Sequence, residues 1–369
     1  MSTVKLKTAA LRDGLSAIAS VRDLKSGRDV LKKVLLQLAP GTLTLGASDA
    51  ELTARLTLEV DGAAPSLACL IAPERMLVVL RETTATDCSL EVKLESIVLR
   101  CGGSRVELQT ADAADFVPLP EWEAEACFTC ETADLVRAVG QSEFATDPSS
   151  TRFQLSGINF DNRGSNLHLV ATDSRRVSIN FVLALTRQGD SPAGIGHSWM
   201  VGGRHLKTIT RLLSGRSTEF FFTDSDAAFR NGGLIASVRM ISGRFPDWRR
   251  VIPSAATTTI KTVAGPLLSL MRQAQIVLCP ETGGVDLTFA EGTLCVSGAV
   301  ADIGQGDFEL PVEQDGPAIT IRLVHEYVVQ WLATQPRESP VEIGLIDGES
   351  ASLWTGGHSR YVLMPLLPE

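Results

Sequence analysis

Three Gly-Gly dipeptides stand at nearly equal intervals along this chain, each between two runs of alternating apolar residues. They are Gly102-Gly103, within Arg100-Cys101-Gly102-Gly103-Ser104-Arg105; Gly232-Gly233, after Arg230-Asn231; and Gly356-Gly357, between Trp354-Thr355 and His358. Such a pair reads as a tight hairpin, because both central residues can take positive φ without a Cβ clash. The pairs lie 130 and 124 residues apart. Each is followed by a strand-like run and a proline-bearing exit: Asp115-Phe116-Val117-Pro118-Leu119-Pro120, Arg244-Phe245-Pro246-Asp247-Trp248 and Tyr361-Val362-Leu363-Met364-Pro365. Proline has no N–H to donate and tends to end strands. The recurrence predicts three similar domains, over residues 1–122, 123–253 and 254–369.

Each third also carries two stretches with helical apolar spacing. They are marked by Leu11, Leu15 and Ile18; Met76, Leu77 and Leu80; Leu135, Val136 and Val139; Leu206, Ile209 and Leu213; Leu267, Leu268 and Met271; and Val324, Tyr327, Val328, Trp331 and Leu332. The last set, at i, i+3, i+4, i+7 and i+8, is the clearest amphipathic pattern in the chain. Period-2 runs lie between them, at residues 42–45, 52–60, 167–170, 177–182, 285–289 and 293–300. The fold class expected is α+β, with each domain made of two βαβββ units whose sheet has one face under a helix. Six such units side by side would give an outer sheet with helices on an inner wall. Two copies of the arc would close a ring and remove the exposed edge strands.

The charge distribution is compatible with an inner wall facing phosphates. The chain nets −9, yet the six helix windows hold nine basic residues against seven acidic ones. The window at 202–214 has Arg204, Lys207 and Arg211 and no acid. Diffuse phosphate contacts hold DNA without fixing register, and no helix-turn-helix, zinc finger or basic region reads sequence here.

The seven cysteines include one C-x-x-C, Cys127 and Cys130, without a second pair or histidines at ligand spacing. They suit a reducing cytoplasm and predict neither a metal site nor a disulfide framework. No run of 18 apolar residues and no leader-type apolar region is read, so no membrane role is expected. The five histidines sit in five different segments, and no phosphate-binding G-x-x-x-x-G-K-[ST] occurs. No catalytic residue and no cofactor is expected. Asp49 and Asp173 are the only candidates for a hydrolase reading, and Thr172-Asp173-Ser174 reads as a turn.

Three segments in order carry a family resemblance: Ala171-Thr172-Asp173-Ser174-Arg175-Arg176-Val177, residues 241–253 (ISGRFPDWRRVIP) and residues 361–366 (YVLMPL). Together with Ala114-Asp115-Phe116 and residues 155–160, they make the whole chain resemble the bacterial β sliding clamp, the processivity subunit of DNA polymerase III. The resemblance implies a homodimeric ring around double-stranded DNA, bound without sequence preference. It further implies a groove for short peptides of polymerases and clamp-loader subunits, formed here by Leu155, Thr172, Arg176, Val177, Pro246, Arg250, Val251, Val362, Met364, Pro365 and Leu366. Arg28 and Arg152 match loop positions that face DNA, beside Arg204, Lys207 and Arg211. Arg105, Val106 and Leu108 would meet Ile276 and Val277 of a second copy, head to tail.

The chain departs from the family at Ser174-Arg175, where Gly-His is common, and at Arg152-Phe153, where Arg-Pro is usual. Its acidic run near residue 302 is thin, with Asp302, Asp307 and Glu309 only. From the residues alone, Val362, Met364 and Leu366 read rather as one face of a final core strand, and Ile276 and Val277 could end a buried helix. A repeat-built protein-interaction scaffold, or a specialised clamp paralogue that does not serve the main replicase, remain alternative functions.

Overall fold

The computed structural model describes residues 2–62, 66–93, 95–121, 127–164, 166–187, 196–278, 283–300 and 304–366. The boundary expected at 122/123 lies outside the described residues, as do Cys279 and Asp302.

Six βαβββ segments follow one another. The first is β1 (Ser2–Lys7), α1 (Thr8–Ala19), β2 (Val34–Ala39), β3 (Thr42–Ser48) and β4 (Leu52–Glu59). The second is β5 (Leu67–Ile71), α2 (Glu74–Glu82), β6 (Asp87–Val92), β7 (Ser96–Cys101) and β8 (Ser104–Gln109). The third is β9 (Cys127–Glu131), α3 (Thr132–Glu143), β10 (Gly157–Asn162), β11 (Asn166–Thr172) and β12 (Arg176–Leu183), with the short β13 (Leu185–Arg187) appended. The fourth is β14 (Ser198–Gly202), α4 (Gly203–Leu212), β15 (Ser217–Phe222), β16 (Asp226–Asn231) and β17 (Leu234–Arg239). The fifth is β18 (Thr258–Val263), α5 (Ala264–Ala274), β19 (Gly284–Ala290), β20 (Thr293–Val300) and β21 (Gly304–Pro311), followed by the short β22 (Glu313–Asp315). The sixth is β23 (Ile319–Val324), α6 (His325–Ala333), β24 (Pro340–Leu345), β25 (Ser352–Gly356) and β26 (Ser359–Leu363). All six helices expected from apolar spacing are present, and the chain is α+β.

Neighbouring βαβββ units share their sheets. The opening strand of each segment pairs with the three-stranded meander of its neighbour. β1 pairs with β6, from Ser2↔Val92 to Lys7↔Asp87, while β5 pairs with β2, from Val34↔Ile71 to Leu38↔Leu67. β9 likewise joins β15 and β14 joins β10; β18 joins β24 and β23 joins β19. β1, β9, β14, β18 and β23 each enter a helix with no intervening loop residue, which leaves no slack for the strand to fold back beside its own meander.

The chain divides into two compact units. The first holds residues 1–133, 185–194 and 204–240. It contains the sheet β1-β6-β7-β8 and the nine-stranded sheet β13-β9-β15-β16-β17-β4-β3-β2-β5. α1 lies on β3 and β4 and beside α2, with Leu11, Leu15 and Ile18 fully buried. Gly14 packs closely there: an added Cβ would sit 2.8 Å from Leu56 Cδ2 and would push that side chain aside. Phe128, Phe220 and Phe229 stack with ring centroids 5.5 and 5.7 Å apart.

The second unit holds residues 134–184, 195–203 and 241–369. Its sheets are β21-β20-β19-β23 and β14-β10-β11-β12-β26-β25-β24-β18-β22. Its largest buried side chains are Trp331, Trp354 and Tyr361. Trp331 stacks on Tyr361 at 5.8 Å and meets Trp354 edge-on at 5.8 Å. The polar ends of all three are satisfied: Trp331 Nε1 donates to Ser359 Oγ, Trp354 Nε1 to Ser352 Oγ, and Tyr361 Oη to the Tyr327 carbonyl. Satisfied indoles allow each ring to contribute its full apolar burial, on the order of 2–3 kcal/mol.

The Gly-Gly hairpins form, with one correction. Only the first turn residue is left-handed in each: Gly102 at φ 57°, Gly232 at 59° and Gly357 at 55°. That pattern matches a type II′ turn, which needs glycine only at its first central position. The third turn is therefore Gly357-His358, and Gly356 ends β25 opposite Ser359. Cys127 and Cys130, three residues apart on β9, face opposite sides of the sheet, which prevents them from sharing one metal ion.

Candidate functional site

The β11–β12 hairpin organises the site. Asp173 Oδ1 accepts the backbone N–H groups of Arg175 and Arg176 at 3.0 and 3.1 Å. Thr172 Oγ1 donates to the Arg176 carbonyl and accepts from Ser174 N–H, and Ser174 takes a left-handed φ of 78°. The same device recurs at the β3–β4 hairpin. There Asp49 Oδ1 accepts from Glu51 and Leu52, Ser48 Oγ donates to the Leu52 carbonyl and accepts from Ala50, and Ala50 has φ 81°. Ala47-Ser48-Asp49-Ala50 and Ala171-Thr172-Asp173-Ser174 are thus two copies of one turn. This repeat is visible in the sequence as Ala-Ser-Asp-Ala and Ala-Thr-Asp-Ser, each between two alternating apolar runs. Both hydrolase candidates hold a turn.

The hairpin places Arg176 inside the second unit, with 6% exposure. Its Nε donates to Asp173 Oδ2 at 2.8 Å, Nη2 to the Phe144 carbonyl at 2.8 Å, and Nη1 to Gln330 Oε1. The guanidinium carbon lies 3.9 Å from the Tyr327 ring centroid. Each guanidinium nitrogen therefore has a partner within the fold. β12 then pairs with β26, Arg176 opposite Leu363 and Val177 opposite Val362, and Met364 N–H donates to the Arg175 carbonyl.

Above this seam lies a cavity of about 230 Å³. Thr172, Arg176, Val177, Pro246, Val251, Val362 and Met364 line it, so seven of the eleven expected groove residues are brought together. Trp248, Asp247, Ser174, Arg175 and Arg152 also line it. Val177, Trp248 and Val362 belong to a buried cluster with Val170, Ile179, Met200 and Phe245, which gives the groove a packed floor. Met364 is 46% exposed and forms an adaptable rim.

The other expected groove residues sit elsewhere. Leu155 is buried in a short 3-10 turn, where its carbonyl accepts Asp147 N–H. Arg250 points to solvent and pairs with Asp247 at 3.1 Å. Leu366 donates its N–H to the Arg322 carbonyl, and Pro365, half-buried, links it to Met364. Arg152, expected to face DNA, lines the groove.

The segment after β17 is pinned over the sheet by Asp161. Its Oδ2 accepts from Trp248 Nε1 at 3.2 Å and from Arg163 Nη2 at 3.0 Å, with Arg249 Nη1 3.6 Å away. Nothing in residue spacing pointed to Asp161 or Trp248, because their contact is long-range.

In the first unit, Arg204, Lys207 and Arg211 of α4 share one exposed face, while His205, Leu206, Ile209 and Leu212 are buried. His205 Nε2 lies 3.2 Å from Asp49 Oδ2. Burial pushes the Asp49 carboxyl up, but His205 and the turn N–H groups outweigh it and hold the pKa below its ordinary value. Arg28 is exposed in the loop before β2. On β8, Arg105 pairs with Glu107 at 2.8 Å, Val106 is half-buried and Leu108 buried. Ile276 is 65% exposed, whereas Val277 is 5% exposed, beneath Gly298 and Gly306 of its own unit. Among the described residues no helix is long and apolar enough to cross a membrane.

Comparison with known proteins places these features in context. Residues 129–247 match the model of the DNA polymerase III beta subunit, central domain. A beta sliding clamp of Salmonella typhimurium is 28% identical over 91% of this chain and 92% of its own length. One of Pseudomonas aeruginosa is 24% identical over 98% of both chains. Among solved structures, the DNA polymerase III subunit beta of Pseudomonas aeruginosa aligns at TM-score 0.89 and 22% identity, over 99% of this chain and 100% of that one. The sliding clamp of Bacillus subtilis aligns at TM-score 0.89 and 15% identity, over 100% of both chains. The fold expected from the three short segments is thereby borne out along the chain.

Proposed function

We propose that this chain, kin to the bacterial β sliding clamps over nearly all of its length, works as a DNA sliding clamp: a homodimeric ring of three-domain subunits that encircles duplex DNA and tethers polymerase and clamp-loader subunits by short peptide motifs. The observation that carries the ring is the fate of the six meander-final strands. β4 pairs with β17, and β12 pairs with β26. β8 and β21 each end a sheet with a single neighbour among the described residues. A head-to-tail second copy pairs β8 with β21 and leaves no meander open. Arg105 on β8 and Asp307 and Glu309 on β21 provide opposite charges for that seam. β21 was not among the expected interface residues.

The groove around Met364 supports the peptide reading, with an apolar floor and a rim of polar groups. The basic face of α4 supports loose contact with phosphates. In this reading the protein holds partners at DNA and performs no reaction on it. The test is topological. The protein, loaded on nicked circular DNA by a bacterial clamp loader, remains bound through gel filtration and is lost when the circle is cut. Equal retention on circular and linear DNA defeats the ring.

A further inference from the structure

Trp248 lines a second cavity, of about 310 Å³, on the same sheet face as the groove. Successive residues show the continuity. β12 gives Val177 to the groove and Ile179 and Phe181 to this cavity. β26 gives Val362 to the groove and Arg360 to this cavity, with His358 following in the turn. The indole of Trp248 divides one trough into two, and Asp161 holds that divider in place.

The chemistry of the second cavity differs from that of the first. Its walls are rings: His168 lies 5.7 Å from Trp248, and Phe181 meets His358 edge-on at 4.8 Å. Two buried polar atoms in its lining, His168 Nδ1 and Asn166 Oδ1, lack a hydrogen-bond partner. Unpaired buried polar atoms are rare in native folds and ask for an explanation. Arg360 is exposed and has no ion-pair partner among the described residues. Burial, opposed by Asp161, holds the His168 pKa below its ordinary value, so the ring is neutral at pH 7 and leaves Arg360 as the cation of the cavity.

We propose that this cavity is a second subsite of the trough, taking a planar aromatic side chain of the bound partner peptide and pairing a neighbouring carboxylate of that peptide with Arg360. The proposal rests on the peptide-groove reading above. Ring walls favour edge-on or offset contact with an aromatic group, and an unpaired guanidinium at the mouth selects a carboxylate. The occupant belongs to the same peptide because the two cavities share the Trp248 wall.

Two measurements test it. In the first, indole-3-propionate and its neutral alcohol, 3-indolepropanol, are titrated into the full chain by ligand-observed NMR. The acid binds, and Arg360→Gln weakens it by at least about fivefold while leaving the alcohol unchanged. Phe181→Ala weakens both, and Met364→Lys alters neither. No binding of the acid at millimolar concentration, indifference to Arg360→Gln, or loss through Met364→Lys overturns the subsite. In the second, a fluorescein-labelled peptide carrying the clamp-binding segment of the cognate polymerase is extended with Phe-Glu or Gly-Gly at either end. One Phe-Glu peptide binds at least about fivefold tighter than its Gly-Gly counterpart, and Arg360→Gln removes the gain. Equal binding of the two peptides defeats the subsite alone, whereas failure of every peptide to bind defeats the groove reading itself.

Discussion

Replacing Arg176 with methionine separates two roles that the groove position leaves entangled. The guanidinium is 6% exposed, and its Asp173 partner side chain is 12% exposed. Methionine refills most of the stem volume but leaves the Asp173 Oδ2 lone pairs, the Phe144 carbonyl and the Gln330 oxygen without their donor. Removing one member of a buried, hydrogen-bonded ion pair costs about 3–5 kcal/mol, because the remaining charge stays desolvated. In a unit of this size each kcal/mol lowers Tm by about 2–4 °C, so Arg176→Met is expected to lower the melting temperature by about 10 °C. Differential scanning calorimetry measures the shift. Asp173→Asn in the Arg176→Met background removes the stranded charge and recovers about 1–2 kcal/mol. Peptide affinity, read by fluorescence anisotropy well below the transition, falls only modestly, since three of the five guanidinium N–H groups are committed to the fold. A Tm change under about 2 °C, combined with a tenfold loss of peptide affinity, refutes the reasoning and makes Arg176 a direct peptide contact.

Three further outcomes are expected. Ile276→Asp gives a soluble, folded monomer by light scattering, whereas Val277→Asp loses folded protein, because only Ile276 presents its side chain to solvent; a folded dimer from either variant refutes that assignment. Arg204→Gln, Lys207→Gln and Arg211→Gln together weaken equilibrium binding to a short linear duplex and flatten its salt dependence by about two to three phosphate contacts, measured by fluorescence anisotropy at graded NaCl. An unchanged salt slope removes α4 from the DNA face. The depressed pKa of His168 makes the unfolded chain the better proton acceptor below pH 6.5, the ordinary histidine value. The stability linked to this ring is therefore full above pH 6.5 and falls as the pH drops toward the folded pKa. Tm measured from pH 7.5 to 5 falls less in His168→Phe than in the parent, and parallel curves contradict the linkage.

The parts of the fold carried by short-range pattern were legible in the sequence. The spacing of Val328, Trp331 and Leu332 marks α6 because three- and four-residue steps stack on one helical face. Gly102, Gly232 and Gly357 mark hairpins because an L side chain is strained at their φ. Strand partnership was not legible. Nothing in residues 2–7 indicates that they pair with residues 87–92 rather than with their own meander, since any antiparallel neighbour satisfies the same backbone groups. The groove divides in the same way. Val177, Val362 and Met364 were named from three matching segments, while Trp248 and its anchor Asp161 emerge only from a contact spanning 87 residues. The burial of Val277 and the place of Arg152 in the groove lining were not legible for a related reason, because direction depends on the turn or helix end that carries a residue, which spacing does not encode.

The exchange of opening strands bears on how the chain is made. Ser2 cannot find Val92 until some ninety residues have been synthesised, and β4 waits for β17, which begins at Leu234. During synthesis, then, the early strand β4 (Leu52–Glu59) stands with a vacant side for a long interval. Long-range closure of this kind slows folding and exposes strand edges to other nascent chains. Cutting the gene between any two neighbouring βαβββ segments would leave two fragments that each lack a strand the other holds, so such fragments are expected to aggregate singly and to recover only when co-expressed.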